Sequence, residues 1–299
     1  MKIKFEPDLD FQAEALRSVC DVFEGQEICQ TNFTVPALES NDQWNLINTD
    51  LGIGNRIRLL SEDVLANLNA VQVRNGLKPS AILGDLNFTI EMETGTGKTY
   101  VYLRSIFELN KRYGFTKFII VVPSIAIKEG TNKALEMTED HFRRLYDNVR
   151  YDFFVYDSQK LGQVRNFATS DCIQIMVINI DAFRRSFTDP SKESKANIIH
   201  RPHDRMMGAK PIEFIRDTHP IVIIDEPQSV DSTKKSAAAI ASLNPLCTFR
   251  YSATHKDEHH PIFRLDSIDA YERKLVKQIE VAGITVEDNP NQAYIRLQK

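Results

Sequence analysis

The segment METGTGKT at residues 92–99 has the residue types and the spacing of a loop that binds phosphate groups. Gly95 and Gly97 allow the backbone to curl, so that successive N–H groups point inward at phosphate oxygens. Lys98 is long enough to reach the β- and γ-phosphates of a nucleotide, and the hydroxyl of Thr99 is a ligand for Mg²⁺. The first chemistry that the sequence predicts is therefore binding of the phosphates of a nucleotide, with Mg²⁺.

The neighbouring segments support phosphate binding. The loop follows the apolar run FTIEM at 88–92, which predicts a buried strand, and it precedes a predicted helix whose N-terminal end attracts anions. Thr94 and Thr96 complete the TGTGKT portion, whereas Met92 stands where the strict phosphate-loop pattern has a small residue. The alternative is a glycine-rich turn between a strand and a helix that binds nothing.

Two acidic residues form a second candidate group at the end of the apolar run PIVII. They belong to the segment DEPQ, which also holds Gln228. Ligands of parallel sheets bind at the carboxyl ends of the strands, so Asp225 can meet the Mg²⁺ and Glu226 can orient or deprotonate the attacking water. The alternative is that the acidic pair only caps a following helix. Ser252 and Thr254 end a further predicted strand, TFRYSAT, and their hydroxyls can link the nucleotide site to a neighbouring domain.

Four short runs are almost continuously apolar, which is typical of strands buried on both faces of a parallel sheet. They lie at 88–92, 117–123, 173–179 and 220–226. Helical periodicity between the first two runs, closed by Gly114, predicts a strand–helix–strand unit. Further helices are expected at 8–24, 62–73, 125–145 and 234–243. The sequence therefore predicts an α/β fold with a doubly wound, mostly parallel sheet.

Two polar segments lack sustained periodicity. Residues 25–55 are rich in Asn, Thr, Asp and Gly, and we interpret them as an insertion or a long loop. Residues 186–211 carry three Pro and several basic residues, and we expect a mobile surface excursion there.

The composition excludes several classes of protein. Hydrophobic residues make up 42% of the 299 residues and charged residues 26%, which excludes a disordered, collagenous or coiled-coil chain. No run reaches the roughly 18 apolar residues of a membrane span and no signal peptide is evident, so we expect a cytoplasmic protein with no membrane partner. Because the net charge is −4, any nucleic acid partner must be bound by a local basic patch.

The motifs, in their order along the chain, resemble the first RecA-like motor domain of a superfamily 2 helicase or translocase, which is a P-loop NTPase domain. The segments that carry this resemblance are FQAEAL with Gln12, METGTGKT, VVPSIAIKEG, INIDAF, DEPQ and SAT. Within that superfamily, the DEPQ form, the METGTGKTYV context and the PSIAIKEG run look like the restriction (Res) subunit of a Type III restriction-modification enzyme. The resemblance covers about residues 5–260.

The resemblance implies a role for each residue of the nucleotide site. Gln12 would contact the adenine, and Lys98 and Thr99 would bind ATP with Mg²⁺. Asp225 would hold the metal, and Glu226 would be the catalytic carboxylate.

The resemblance also implies coupling to movement along DNA. Gln228, with the hydroxyls of Ser252 and Thr254, would couple hydrolysis to movement. The residues that would face the backbone of double-stranded DNA are Pro123, Ser124 and Lys128. Backbone contact suits a motor, because phosphates can be gripped without dependence on sequence. The recognition of a DNA site would belong to a partner, the methyltransferase (Mod) subunit.

The resemblance divides the chain at residue 260. Residues 1–260 would form the first motor domain, and residues 261–299 would be a connector and the start of a truncated second domain. We therefore expect a fragment without the second motor and nuclease domains, which binds ATP but hydrolyses it weakly because the second domain supplies an arginine. Two alternatives stay open: another superfamily 2 DNA helicase of repair type, and a non-catalytic, nucleotide-gated interaction module.

Overall fold

The strands of the protein form two sheets. The structure is a computed structural model, and it describes residues 5–36, 49–184, 195–203, 206, 208–231, 233–255 and 257–277. The strands are β1 (Gln30–Pro36), β2 (Thr49–Asn55), β3 (Asn87–Met92), β4 (Lys117–Val122), β5 (Tyr151–Val155), β6 (Ile173–Asn179), β7 (Ile221–Asp225), β8 (Cys247–Ser252) and β9 (Pro261–Leu265). The larger sheet has seven strands in the order β5-β6-β4-β7-β8-β3-β9, and all of its neighbours pair in parallel.

Helices cover both faces of this sheet. They are α1 (Asp10–Asp21), α2 (Ser61–Arg74), α3 (Lys98–Tyr113), α4 (Ile125–Leu145), α5 (Leu161–Thr169), α6 (Ile180–Arg184), α7 (Pro211–Asp217), α8 (Pro227–Val230), α9 (Lys234–Ser242) and α10 (Ser267–Glu272). One face packs against α1 to α4, and the other packs against α5, α6, α7 and α9. In the part of the chain that the structure describes, no helix is long and apolar enough to cross a membrane.

The interior strand β4 shows why the sequence folds into a doubly wound sheet. All six of its residues are buried. Side chains alternate along a strand, so Phe118 and Ile120 face the core beneath α1 to α4, whereas Ile119 and Val121 face the opposite core. After Lys117 at its start, the strand is apolar at every position because both of its faces are covered. The predicted α/β class and its parallel sheet are confirmed.

The connection between β3 and β4 follows the predicted strand–helix–strand unit. Helix α3 ends at Gly114, which has φ 75° and donates its N–H to the carbonyl of Asn110 at 2.8 Å. Glycine suits this position because a left-handed backbone closes the last helical turn. Helix α4 then begins after Ser124, whose hydroxyl accepts a hydrogen bond from the N–H of Ile127.

The structure differs from the expectation in two polar segments. The interpretation of residues 25–55 as a long loop is wrong for 30–36 and 49–55, because β1 and β2 pair there as an antiparallel ribbon. The interpretation as an insertion stays a prediction. Residues 30–34 of β1 alternate between exposed and partly buried positions, and glycines interrupt the apolar residues of β2, so neither strand has a continuous apolar run to signal it. In the segment 186–211, residues 186–194 lie outside the described part, but Lys195–His200 form a 3₁₀ helix whose Ile199 is fully buried.

The described part of 261–299, predicted as a connector and the start of a second domain, begins with strand β9 and helix α10. Strand β9 pairs with β3 in the large sheet, and α10 packs on β9 with Ala270 fully buried. The apolar positions Ile262 and Leu265 belong to the same core as β3. The compact unit therefore continues past residue 260, while residues 278–299 lie outside the described part.

Candidate nucleotide site

The loop after β3 has the backbone that phosphate binding requires. Gly95 has φ 86° and Gly97 has φ 89°, in the left-handed region that favours glycine. Helix α3 begins at the next residue, Lys98, so its free N–H groups lie beside the loop. The structure thus brings the glycines, the lysine and a helix N-terminus together, as METGTGKT predicts.

Gln12 of α1 closes this loop from one side. Its Nε2 donates a hydrogen bond to the carbonyl oxygen of Thr96 at 3.0 Å, and the side chain is buried. The Thr96 hydroxyl donates to the carbonyl of Glu93 at 2.6 Å, whereas Thr94 is exposed and donates its N–H to the Glu93 carboxylate. A Cβ on Gly97 would lie 2.5 Å from Gln12 Nε2, so glycine permits this close approach.

Lys98 and Glu226 form an ion pair across the site. Lys98 Nζ lies 2.9 Å from Glu226 Oε1, and the two side chains are 11% and 28% exposed. Glu226 directly follows β7 and adopts φ 56° and ψ 63° at the start of α8. A left-handed conformation is uncommon for a residue with a Cβ and persists where surrounding contacts hold it.

The second carboxylate oxygen of Glu226 joins the two remaining motifs. Gln228 Nε2 donates to Glu226 Oε2, and Ser252 Oγ lies 2.9 Å from both Glu226 Oε2 and Gln228 Oε1. The backbone N–H of Thr254 donates to Ser252 Oγ at 3.2 Å. Lys98, Glu226, Gln228, Ser252 and Thr254 therefore form one hydrogen-bonded network, which we call the motif network.

The two acidic residues differ in their electrostatic surroundings. Burial raises the pKa of Asp225 to about 6, and the charge of Glu226 adds to this effect while Lys98 opposes it. Burial also pushes the pKa of Glu226 upward, but hydrogen bonds from Lys98, Gln228 and Ser252 outweigh it and hold that pKa below its usual value. Glu226 is therefore ionised at neutral pH, and the uncompensated negative charge lies at Asp225.

The sequence analysis missed two buried polar residues next to Asp225. The hydroxyl of Tyr102 lies 3.5 Å from Asp225 Oδ2 and 3.4 Å from Thr131 Oγ1. Tyr102 is three residues after Thr99 and therefore lies on the same side of α3, one turn further on. The spacing from Thr99 could have indicated that Tyr102 lies near the nucleotide residues. An aromatic residue in an amphipathic helix, however, is usually interpreted as a core residue.

The three residues expected to face DNA follow the carboxyl end of β4, on the same side of the sheet as the nucleotide residues, but they are not part of the motif network. Pro123 and Ser124 follow β4, and Lys128 lies in the first turn of α4, with its Nζ 3.6 Å from Glu129. Lys128 lines an open cavity of about 490 Å³ together with Lys160. Ala182, from the INIDAF segment, lines the same cavity, so two of the motifs flank one groove.

The residues present fit a magnesium nucleotide. Gln12 Oε1 is buried and has no hydrogen-bond partner among the described residues, so an acceptor is free beside the loop. Thr99 and Asp225 offer oxygen ligands, which Mg²⁺ prefers, and Mg²⁺ sites of this type take few protein ligands. The helix N-terminus, the glycine loop and Lys98 supply the positive groups that phosphates need.

Comparison with known proteins places this fold and site in a family. The family model described as Type III restriction enzyme, res subunit, matches residues 10–257. The Type III restriction-modification enzyme StyLTI Res subunit of Salmonella typhimurium (strain LT2) is 30% identical over 246 residues, which are 70% of this chain and 24% of that protein. The EcoPI Res subunit of Escherichia phage P1 is 27% identical over 295 residues, which are 92% of this chain and 28% of that protein.

Among solved structures, the chain is similar to the UvsW helicase from bacteriophage T4. It matches 64% of this chain and 52% of its own, at 16% identity and a TM-score of 0.35. The chain spans about a quarter of the length of the two curated relatives. Since the family model covers most of the chain, including the glycine loop and the motif network, the chain belongs to the family of Type III restriction enzyme res subunits.

Proposed function

We propose that the chain is the ATP- and Mg²⁺-dependent DNA translocase or helicase domain of a Type III restriction endonuclease subunit. The motif network carries this proposal, because it joins the phosphate loop after β3 to the ends of β7 and β8 through direct hydrogen bonds. A change of contacts at Lys98 must alter the bonds of Glu226 and Ser252. Such a connection is what a motor needs to transmit nucleotide binding to a neighbouring domain.

The residues of the loop are proposed to bind the nucleotide. Bound ATP with Mg²⁺ supplies the phosphoanhydride bond whose hydrolysis drives movement. Lys98 would exchange its bond with Glu226 for bonds to phosphate oxygens, and the free Oε1 of Gln12 would accept from the adenine amino group. Thr99 and Asp225 would hold the Mg²⁺ through their oxygens.

Glu226 is proposed to accept a proton from the attacking water. Its low pKa keeps it ionised at neutral pH, so an acceptor is available. Gln228 and Ser252 fix the orientation of the carboxylate, and Thr254 continues the network toward the next segment of chain. Gln228, Ser252 and Thr254 would in this way couple hydrolysis to movement.

Double-stranded DNA is proposed to lie along the groove next to α4. Lys128 and Lys160 line this groove together with Asp157, so its lining carries two positive charges and one negative charge. Pro123 and Ser124 directly precede α4, the helix that carries Lys128. Phosphate contacts by lysines and a helix N-terminus would hold DNA without reading its sequence. A local patch of this kind is what the net charge of −4 requires.

The partner is proposed to be a methyltransferase (Mod) subunit that recognises the DNA site. This proposal is supported by the relatives, which are Res subunits of restriction-modification enzymes. We place the protein in the cytoplasm, where ATP and DNA are both available. We also propose that the first motor domain extends beyond residue 260 to include β9, because β9 completes the sheet.

Equilibrium binding and turnover of ATP by three variants test the proposal. Lys98→Ala should weaken binding of a fluorescent ATP analogue in Mg²⁺ at least tenfold, because the phosphate contact is lost. Glu226→Gln should bind the analogue as well as the parent chain, but its DNA-stimulated hydrolysis should fall on the order of 10²- to 10⁴-fold. Lys111→Ala, on the exposed end of α3, is the matched control and should change neither quantity.

A folded parent chain that binds no ATP, or a Lys98→Ala variant that binds normally, would refute the proposed function. The non-catalytic interaction module predicts instead that Glu226→Gln leaves hydrolysis unchanged even with DNA and partner present. The repair-type helicase predicts DNA-stimulated activity that a Mod subunit neither binds nor alters, which a co-purification assay with that subunit decides.

A further inference from the structure

The phenol of Tyr102 is a buried polar group that lies between the nucleotide residues and helix α4. The side chain is fully buried, and its hydroxyl lies 3.5 Å from Asp225 Oδ2 and 3.4 Å from Thr131 Oγ1. Three elements, α3, β7 and α4, therefore meet at one hydroxyl.

The chemistry of these groups gives the contacts a direction. A phenol carries its proton at neutral pH, so Tyr102 has one O–H to donate. An ionised carboxylate can only accept, so Tyr102 donates to Asp225 and its oxygen is left to accept from the hydroxyl of Thr131. The hydrogen bonds then run from Thr131 through Tyr102 to Asp225.

The position of Thr131 connects this path to the proposed DNA groove. Thr131 is 3% exposed and lies one turn after Lys128 on the same side of α4, the helix that begins after Ser124. At 3.4 and 3.5 Å both contacts are longer than the roughly 2.5–3.0 Å that is usual between two oxygens, so both hydrogen bonds are weak in this arrangement. A small displacement of α4 would therefore shorten or break the bond between Thr131 and Tyr102.

We propose that Tyr102 is a positioning residue that orients the Asp225 carboxylate and couples it to α4 through Thr131. The proposal rests on the proposed function, in which Asp225 holds Mg²⁺ and α4 faces DNA. Because Tyr102 is fully buried, we expect it to act through Asp225 and Thr131 and not by touching nucleotide or DNA. Its effect should therefore depend on Mg²⁺ and on DNA, which a purely structural tyrosine would not show.

A second tyrosine in the same core provides a matched control. Tyr251 is also fully buried and packs edge-on against Tyr102, with ring centroids 5.6 Å apart. Its hydroxyl lies 3.3 Å from Ser105 Oγ, away from Asp225 and Thr131. Tyr251→Phe removes the same atom from an equally buried ring, so it measures the general cost of losing a core hydroxyl.

Titration of the chain with a fluorescent ATP analogue, in Mg²⁺ and in EDTA, tests the orientation of Asp225. Tyr102→Phe should weaken binding about 3- to 10-fold in Mg²⁺ and less than twofold in EDTA. Tyr251→Phe should bind like the parent chain under both conditions. An equal loss with and without Mg²⁺, or a Tyr102→Phe variant that binds like Tyr251→Phe, would overturn the proposal.

Adding duplex DNA to the same titration tests the coupling to α4. Any change in affinity that DNA causes in the parent chain should be lost in both Tyr102→Phe and Thr131→Val. Without nucleotide, urea unfolding of the two single variants and the double variant should be non-additive, because both remove the same hydrogen bond. Additive losses of unfolding free energy, or a Thr131→Val variant whose nucleotide affinity responds to DNA as in the parent chain, would overturn the proposal. The Thr131→Val variant tests the coupling even if Tyr102→Phe does not fold.

The failure of this inference can be told apart from failure of the proposed function. A parent chain without Mg²⁺-dependent nucleotide binding would refute both. A parent chain that binds in a Mg²⁺-dependent manner, beside a Tyr102→Phe variant with the same Mg²⁺ dependence, would refute the role of Tyr102 alone.

Discussion

The neighbouring carboxylates Asp225 and Glu226 have unequal access to positive charge. Lys98 lies 2.9 Å from Glu226, whereas Asp225 has its closest polar contact in the neutral Tyr102 hydroxyl. Desolvation penalises a charged carboxylate most where no cation compensates it, which is why the pKa of Asp225 is raised to about 6. A divalent cation at Asp225 would supply the missing charge, so the two carboxylates are suited to different tasks.

Lys117 is a buried base at the opposite end of the sheet, and it should make stability depend on pH. Its side chain is fully buried at the start of β4, with Nζ bonded to the carbonyl of Ser170 and 5.8 Å from the Phe167 ring centroid. Burial lowers the pKa of Lys117 from 10.5 to about 8, against the opposing charges of Cys172 and Asp171. The unfolded chain therefore holds more protons than the folded chain between about pH 8 and 10.5.

Lys117→Met should remove this pH dependence. Below pH 8 the lysine is charged in both states and its full desolvation cost is present, and the cost falls as pH rises toward 10.5. The parent chain should therefore gain on the order of 3 kcal/mol relative to Lys117→Met between pH 7 and pH 10.5. Urea unfolding at both pH values measures the difference, with the exposed Lys111→Met as control. A constant difference across the range would contradict the prediction.

At the residue scale, the sequence could predict the residues that belong to motifs with a recognisable spacing. It could not predict residues whose role depends on contacts made in the buried core. The residues of METGTGKT and DEPQ can be recognised by their type and order, and the structure brings them together. Tyr102 and Thr131 carry no such signature, because their importance comes from a contact between α3 and α4 that depends on the packing of the whole core.

At the element scale, the loop between β3 and α3 separates two effects of glycine. Gly95 and Gly97 both have positive φ, but a Cβ on Gly95 would meet nothing within 4 Å, whereas a Cβ on Gly97 would lie 2.5 Å from Gln12 Nε2. Gly95→Ala should therefore cost about 1 to 2 kcal/mol from backbone strain alone. Gly97→Ala should cost about 1 kcal/mol more, because it displaces the amide of Gln12 from Thr96.

Urea unfolding in the absence of nucleotide measures both costs. The additional cost of Gly97→Ala should disappear when Gln12 is already replaced by Ala, since the displaced hydrogen bond is then absent. Gly95→Ala should cost the same in either background. Equal destabilisation by the two glycine variants in the parent chain would show that Gln12 moves aside without loss.

The elements that sequence patterns predicted are those at the centre of the fold. Strands β4, β6 and β7 are buried on both faces, and their apolar runs gave nearly correct bounds. Strands β5 and β9 were not predicted, because they form the two edges of the sheet and keep exposed or partly exposed positions. A short strand with one covered face has no continuous apolar run, so its partner strand, rather than its own sequence, determines it.

At the scale of the whole molecule, the candidate nucleotide site lies at the carboxyl ends of the strands of the large sheet. Contacts that stabilise the fold lie at the amino ends of the strands. The phosphate loop, Asp225 and Ser252 all follow the carboxyl ends of strands. The amino ends of β4 and β7 instead receive the end of β2, where a Cβ on Gly54 would lie 2.8 Å from the carbonyl of Thr218. A strand of six residues is about 20 Å long, so the amino and carboxyl ends of the strands are separated by about that distance.

Asn55 should therefore control stability without affecting nucleotide binding. Its buried amide donates to the carbonyls of Lys117 and His219 at 2.8 and 3.1 Å and accepts from the N–H groups of Thr116 and Lys117 at 2.8 and 3.2 Å. Asn55→Ala would leave buried backbone groups of three residues without this partner, at a cost of about 3 kcal/mol. Asn32→Ala, on an exposed position of β1, should cost less than about 0.5 kcal/mol. Urea unfolding measures both, and the affinity of folded Asn55→Ala for a fluorescent ATP analogue should stay within twofold of the parent chain. If fully folded Asn55→Ala bound the ATP analogue much more weakly than the parent chain, the prediction would be contradicted. The amino ends of the strands would then influence the nucleotide site at their carboxyl ends.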